Sequence, residues 1–296
     1  MRALGTDGAD QRIMADRQSD EIIIFCHIPK TAGTTLQMLL RRHYGRFHLD
    51  VAGGTVYSRA LLERDLRLHP RVRSLAGHPL RPFADYGEYA ERLRWYTFLR
   101  QPIERCISHY QHAVEKHQAP RSFRDWVRDP ENWNWHVRFL SGGQDLAAAR
   151  QILEEKMRFV GLTERFDESL LLLRERLGLQ DFAVAYGRPR NIARTGEVRR
   201  RVQASFEEYR EEVTEHNRLD LELYDHVAHH LYPRQGEAYG RQRLQADLET
   251  EFSPRRSTLS QRFRYYESAA FRKLYYLPMV RFGKRLGHRG DGAADA

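Results

Sequence analysis

Three groups of residues in this chain have the types and spacing to do chemistry on an anion. The first is Lys30 with Thr31, Gly33, Thr34 and Thr35, in the run HIPKTAGTTL. A lysine at the apex of a tight turn, beside hydroxyls and the unpaired N–H groups of a starting helix, makes a seat for an anion, usually a phosphate. It is not a Walker loop, because Lys30 precedes the glycine and the G-x-x-x-x-G-K-[ST] spacing is missing. The second group is Arg100 with Ser108. A helix rises ~1.5 Å per residue, so an arginine at its start and a serine two turns in both reach one phosphate lying across that start. The arginine supplies a charged fork and the serine one further bond. The third is His78, in SLAGHPLRPF, an imidazole able to take a proton from a hydroxyl nucleophile near neutral pH. His27 and His109 rival it, although both read better as structural. Taken singly, the groups have plainer readings: an ordinary βα turn, a surface arginine with a helical serine, and a capping or core histidine.

The elements that must position these residues follow from the apolar pattern. Ile22 to Cys26 is a short apolar, β-branched run and predicts a buried strand. Pro29 and Gly33 break it, and a helix with Leu36, Leu39 and Leu40 on one side begins at Thr34. Further strands are expected at Arg73 to Gly77, Trp95 to Leu99 and Phe159 to Leu162. Ser58 to Leu68 reads as a helix, preceded by the loop VAGGTVYS. Pro102 suits the first turn of a helix running to about Lys116. Short helices follow in SFRDWVRD, NWNWHVRFL and DLAAARQILEEKM. Thr163 is the expected N-cap of a helix over Phe166 to Leu177. Leu179 to Tyr186 is ambiguous, Arg188 to Gly196 is a basic loop, and a late helix carries Leu219, Leu223, Val227 and Leu231 on one face. Strands separated by helical segments argue for an α/β fold: a central parallel β-sheet flanked by helices.

At these motifs the chain resembles the carbohydrate sulfotransferases that use 3′-phosphoadenosine-5′-phosphosulfate (PAPS), in the group that includes heparan sulfate 2-O-sulfotransferase. HIPKTAGTTL is similar to their 5′-phosphosulfate loop. The Arg100-x7-Ser108 pattern, with Pro102 and Ser-His-Tyr at 108–110, is similar to their 3′-phosphate motif. His78 stands where that family has its catalytic base. NWNWHVRFLSGG resembles a segment near the acceptor, which would place Asn134 and Arg138 there, with Trp133 and Trp135 more readily core than sugar platforms. FVGLTERFDESLLLL and NRLDLELYDHV resemble family scaffold. Arg190 and Asn191 are candidate donor contacts, with a plain basic loop as the alternative. The resemblance covers roughly residues 20–232. It implies a P-loop-like nucleotide-binding fold and sulfuryl transfer from PAPS to a hydroxyl of a carbohydrate or glycoconjugate, releasing 3′,5′-ADP. Lys30 would then bind the phosphosulfate and neutralise the leaving oxygen. Two rivals are a P-loop-type kinase, for which no magnesium ligands stand out, and a non-catalytic nucleotide- or glycan-binding protein.

Composition sets outer bounds. The chain has 296 residues, 41% hydrophobic and 30% charged, with a formal charge of +9. Ten basic residues against three acids give 252–296 a net +7, leaving +2 for 1–251. Residues 1–19 read as a loose leader, 20–232 as the catalytic domain and 233–296 as a basic, aromatic, helical C-terminal extension. The first residues lack the apolar stretch of a secretory signal, and no run approaches a membrane span. Animal relatives sit in the Golgi behind a membrane anchor, whereas the expectation here is cytoplasmic. Cys26 and Cys106 fit buried thiols in a reducing compartment. His226, His229 and His230 read as a solvated helix face, and no metal is expected.

In the C-terminal segment, Leu259, Phe263, Tyr266, Ala270, Leu274 and Leu277 share one side of a helix that Pro278 should end or kink. One reading packs this helix on the body. The other docks residues 252–290 on an anionic surface, either the inner membrane leaflet or a charged glycan. Nucleic acid is not expected as a partner, for want of a recognition motif.

Overall fold

A computed structural model describes residues 20–116, 122–179, 181–186, 196–252 and 258–280, without the side chains of 196–199 and 201. Ile22–Cys26 forms β1, buried throughout, and Gly33–Tyr44 forms α1, which turns Leu36, Met38, Leu39 and Leu40 inward. His48–Asp50 is β2, Arg59–Leu68 is α2, Ser74–Gly77 is β3 and Leu93–Leu99 is β4. Pro102–Glu115 is α3, with Pro102 in its first turn as the sequence predicts. Three short helices follow, Phe123–Arg128 (α4), Trp135–Ser141 (α5) and Leu146–Gln151 (α6), then strand Met157–Leu162 (β5) and helix Phe166–Arg176 (α7). The remainder is helical: Gly196–Glu208 (α8), Arg210–His216 (α9), Arg218–His226 (α10), Tyr232–Glu237 (α11), Arg241–Glu251 (α12) and Leu259–Phe271 (α13).

Among the described residues the strands make one sheet in the order β2-β3-β1-β4-β5, with every neighbour parallel. A parallel sheet is covered on both faces, and its strands are correspondingly apolar along their length. The chain leaves β1 for β2, two places away, returns to β3 between them, and crosses to β4 on the other side of β1. Loops after β1 and β4 therefore turn in opposite directions. A crevice opens at their carboxyl ends, where ligands of such sheets bind.

Several expectations change. Residues 51–58 are loop as expected, but a strand not expected from the sequence, β2, stands just before them. Its polar ends are satisfied internally: His48 Nδ1 lies 3.0 Å from Ser74 Oγ, and Arg41 Nη2 lies 2.7 Å from Asp50. Thr163 does not cap α7. Its hydroxyl donates to Leu99 O (2.9 Å), and a 3₁₀ turn over Thr163–Arg165 puts Arg165 at the cap position. Pro278 does not end the last helix, which continues through residue 280. The π-helical turn Arg272–Tyr276 precedes it, with Leu277 N–H reaching back to Arg272 O. That wider coil relieves the clash a pyrrolidine ring meets in a regular helix.

The C-terminal segment shares the core of the sheet, because Tyr232, Tyr239 and Tyr276 belong to the same apolar cluster as β1 and β4. Tyr276 and Tyr57 both donate to Asp65 Oδ2, at 2.8 and 2.7 Å, which ties the last helical turn to α2. Both cysteines are free and buried, and burial pushes the Cys26 thiol up to about 12. Among the described residues no helix is long and apolar enough to cross a membrane.

Candidate active site

Four strand ends meet at one cleft of ≈ 810 Å³. The loop after β1 contributes Lys30, Gly33, Thr34 and Thr35, β3 contributes His78, β4 contributes Arg100, and Ser108 reaches in from α3. Residues spread over nearly eighty positions of sequence thus line a single space.

The lysine loop is wound unusually. Lys30 (φ 72°) and Ala32 (φ 63°) both adopt the left-handed region, which costs a non-glycine residue of order 1–3 kcal/mol. Thr31 is fully buried and its hydroxyl donates to Ile28 O at 2.9 Å, so it closes the loop and does not line the cleft. Gly33 is forced. A Cβ there would fall 1.7 Å from His27 Nε2, because the His27 ring fills the hollow behind the start of α1. The fold therefore holds this turn against its own backbone preference, with the ammonium at its apex and the first amides of α1 behind it.

Arg100 is held loosely. Its guanidinium makes two long contacts, 3.5 Å to Lys30 O and 3.5 Å to the exposed Glu104 carboxylate. Such bonds sit at the weak end of hydrogen-bond geometry and leave the fork able to take a better acceptor. Burial lowers the pKa of the Lys30 ammonium and the neighbouring Arg100 lowers it further, while Glu115 acts the other way. A half-buried lysine whose charge is disfavoured by burial and by a neighbouring arginine is a sign of a site shaped for an anion.

The three candidate histidines all line the cleft. His78 Nδ1 donates to His27 O (2.7 Å), which leaves Nε2 as the basic atom. Its ring is open on the cleft side but packed elsewhere. Burial and then Arg81 lower its pKa, while the bond to His27 O raises it. His27 stacks on His78 with centroids 4.1 Å apart, and burial drives it down to about 3. His109 stands edge-on to Trp126 and Trp135, also down to about 3, through burial and Arg105. Both are poor bases held neutral, whereas His78 keeps a supporting acceptor on its far nitrogen.

Not every expected residue arrives. Asn134 and Arg138 do not line the cleft. Asn134 Oδ1 accepts from the backbone N–H groups of Leu219 (3.1 Å) and Asp220 (3.2 Å), capping α10. Asp220 returns the favour, accepting from His136 and Val137 N–H at 2.9 Å each at the start of α5. Arg138 is spent on Glu131 and Pro130 O. Trp133 stacks on His216, centroids 4.0 Å apart, and Trp135 packs against the core. Arg190 and Asn191 lie outside the described residues. His226 pairs with Glu154 at 2.7 Å.

One wall of the cleft escapes sequence reasoning. Thr163, Glu164 and Phe166, after β5, line it together with Tyr186. The Phe166 and Tyr186 rings meet edge to face at 5.3 Å. Glu164 braces this wall, accepting from Gln101 N–H (2.8 Å) and Tyr224 OH (2.9 Å). The position of these residues just past an expected strand is the one signal that points to them.

Buried histidines make stability depend on pH. His27 (about 3) and His43 (about 4, lowered by burial and then Arg264) stay neutral in the folded protein well below the ordinary value, and fully buried His136 is also lowered. Unfolded, each takes a proton as the pH falls through ~6.5, so below that point the unfolded state binds more protons and stability falls. Each ring adds a slope approaching about 1.4 kcal/mol per pH unit. Asp220, pushed up to about 6 by burial, offsets roughly one ring as the pH drops. Urea midpoints should therefore decline from pH 7 to 5; a flat profile would show that these rings are not neutral inside the fold.

The sheet and the cation-lined crevice at its switch point define a parallel α/β protein with an anion-suited cleft. The sequence matches the Sulfotransferase family over residues 13–227, and the chain belongs to that family. Among solved structures, a sulfotransferase from Alicyclobacillus acidocaldarius is similar at 16% identity and a TM-score of 0.34, covering 64% of this chain and 93% of that one. No curated protein matches the chain.

Proposed function

We propose that the protein transfers a sulfuryl group from PAPS to a hydroxyl of a carbohydrate or glycoconjugate, releasing 3′,5′-ADP. The observation that carries this reading is the meeting of Lys30, His78, Arg100 and Ser108 in one cleft, from the ends of three adjacent strands and the helix after β4. Lys30 and the first amides of α1 would hold the phosphosulfate. Arg100 and Ser108 would hold the 3′-phosphate and so select PAPS over ATP. The Phe166–Tyr186 wall offers an aromatic seat for adenine.

As the acceptor oxygen attacks sulfur, its proton passes to His78 Nε2 and the new O–S bond forms. The bond from sulfur to the 5′-phosphate oxygen breaks, and Lys30 neutralises the charge growing on that oxygen. Catalysis on this view is positioning plus electrostatics, as in phosphoryl transfer.

The test is a thermal-shift series with 3′,5′-ADP, 5′-AMP and ATP, alongside PAPS turnover on a glycan panel with and without magnesium. A ligand at about 100 times its Kd stabilises by ~2.7 kcal/mol, so 3′,5′-ADP should raise Tm clearly and the other two much less. Equal shifts from 5′-AMP and 3′,5′-ADP would remove the role given to Arg100 and Ser108. Phosphate transfer from ATP that requires magnesium would replace this reading with a kinase.

A further inference from the structure

The apolar stripe of the last helix faces outward. α13 and its continuation lie on the body by one face: Arg264 donates to His43 O (3.2 Å), Ser268 is buried, and Tyr276 is bonded to Asp65. The opposite face leaves Leu259 83% exposed, Phe263 69%, Tyr266 64% and Leu274 76%, with Tyr275 and Met279 continuing the ridge. Single exposed apolar residues are ordinary, but a continuous ridge of them along a docked helix marks an interaction surface.

Charge decides what that surface fits. Arg262 and Lys273 stand exposed beside the ridge. Glu267 is the one carboxylate in 258–280, and it is taken by Arg46, accepting from its backbone N–H at 3.4 Å with the guanidinium at 3.7 Å. The exposed face therefore carries apolar and basic groups with no free carboxylate to answer them. A second copy of the chain would set these cations against their own kind. An anionic lipid surface neutralises them and buries the ridge in one step, which is how interfacial helices bind. Tyr266 and Tyr275 suit the headgroup level, apolar in body and polar at the tip.

We infer that this helix is a docking surface for anionic phospholipid, with Leu259, Phe263, Tyr266 and Leu274 entering the interface and Arg262 and Lys273 meeting headgroups. The helix lies flat on the membrane, since its other face is fixed to the body. The sequence on either side adds like charge, Arg255 and Arg256 before it and Arg281, Lys284 and Arg285 after.

Full-length protein is sedimented with vesicles of phosphatidylcholine containing phosphatidylserine, and with phosphatidylcholine alone, at low and high salt. Binding is expected to the anionic vesicles only, weakening with salt. The double substitution Phe263→Glu with Leu274→Glu should weaken it at least ~10-fold, keeping the Tm because both side chains are exposed. Arg262→Ser with Lys273→Ser gives an independent arm, since each basic residue near such a surface is worth about fivefold. Failure of the wild type to bind anionic vesicles overturns the inference. So does equal binding by the Phe263→Glu, Leu274→Glu variant, which would assign the effect to charge elsewhere. A concentration-dependent dimer dissolved by that variant, without lipid binding, would assign the face to a second copy.

Discussion

Replacing His78 by alanine should lower turnover about 10²–10⁴-fold, the usual worth of a general base, while 3′,5′-ADP binds nearly as before. The split follows from geometry. His78 sits after β3, lining the same cleft as the lysine loop, and its Nδ1 is committed to His27 O. Only Nε2 remains for chemistry, and losing it removes a proton acceptor without touching Lys30, Arg100 or Ser108. The pH profile offers a second readout. Because His78 is lowered from its ordinary value, the acid limb of kcat/KM should fall below pH ~6.5, and it should vanish in the variant. Normal turnover in His78→Ala would pass the role to His27, then to His109, both already in the cleft.

Lys30→Ala should be nearly as severe, about 10²–10³-fold in kcat, the cost of removing one donor aimed at a developing charge. The loss should fall more on kcat than on donor affinity. An ammonium placed at the leaving oxygen gains most of its interaction as the bond to sulfur breaks. A rise in KM at constant kcat would reduce Lys30 to a binder of ground and transition state alike. Lys30→Gly separates charge from strain. Glycine adopts the left-handed turn freely, so that variant should be at least as stable as Lys30→Ala yet equally slow.

Much of this site is legible in the residues alone. The apolar run Ile22–Cys26 announces a buried strand, and a lysine followed by small and hydroxylated residues announces an anion loop. What escapes is set by the closing of the fold. β2 is three residues long with His48 and Asp50 in it, and its burial rests on a hydrogen-bond network that leaves no apolar pattern. The Phe166–Tyr186 wall joins two segments that periodicity treats separately. Asn134 matches a motif, yet a motif does not say whether an amide caps a helix or meets a sugar. The stripe on α13 keeps Leu259, Phe263, Tyr266, Ala270 and Leu274 exposed, as one side, but Leu277, past the π-helical turn, packs against the core instead. Periodicity tells which residues share a side, but only packing tells which side is covered.

The exchange of caps between Asn134 and Asp220 has a kinetic meaning. Each residue stands in the first turn of one helix, or just before it, and satisfies the free amides of the other, across more than eighty positions of sequence. Neither helix end can fray without stripping partners from its counterpart, so α5 and α10 open as one cooperative unit. Burial pushes Asp220 up to about 6, and Arg105, fully buried beside them on α3, acts against that rise in favour of the charged form. The helix that carries Ser108 to the cleft is thereby backed by a mutually capped pair of helices, which should show joint amide-exchange protection.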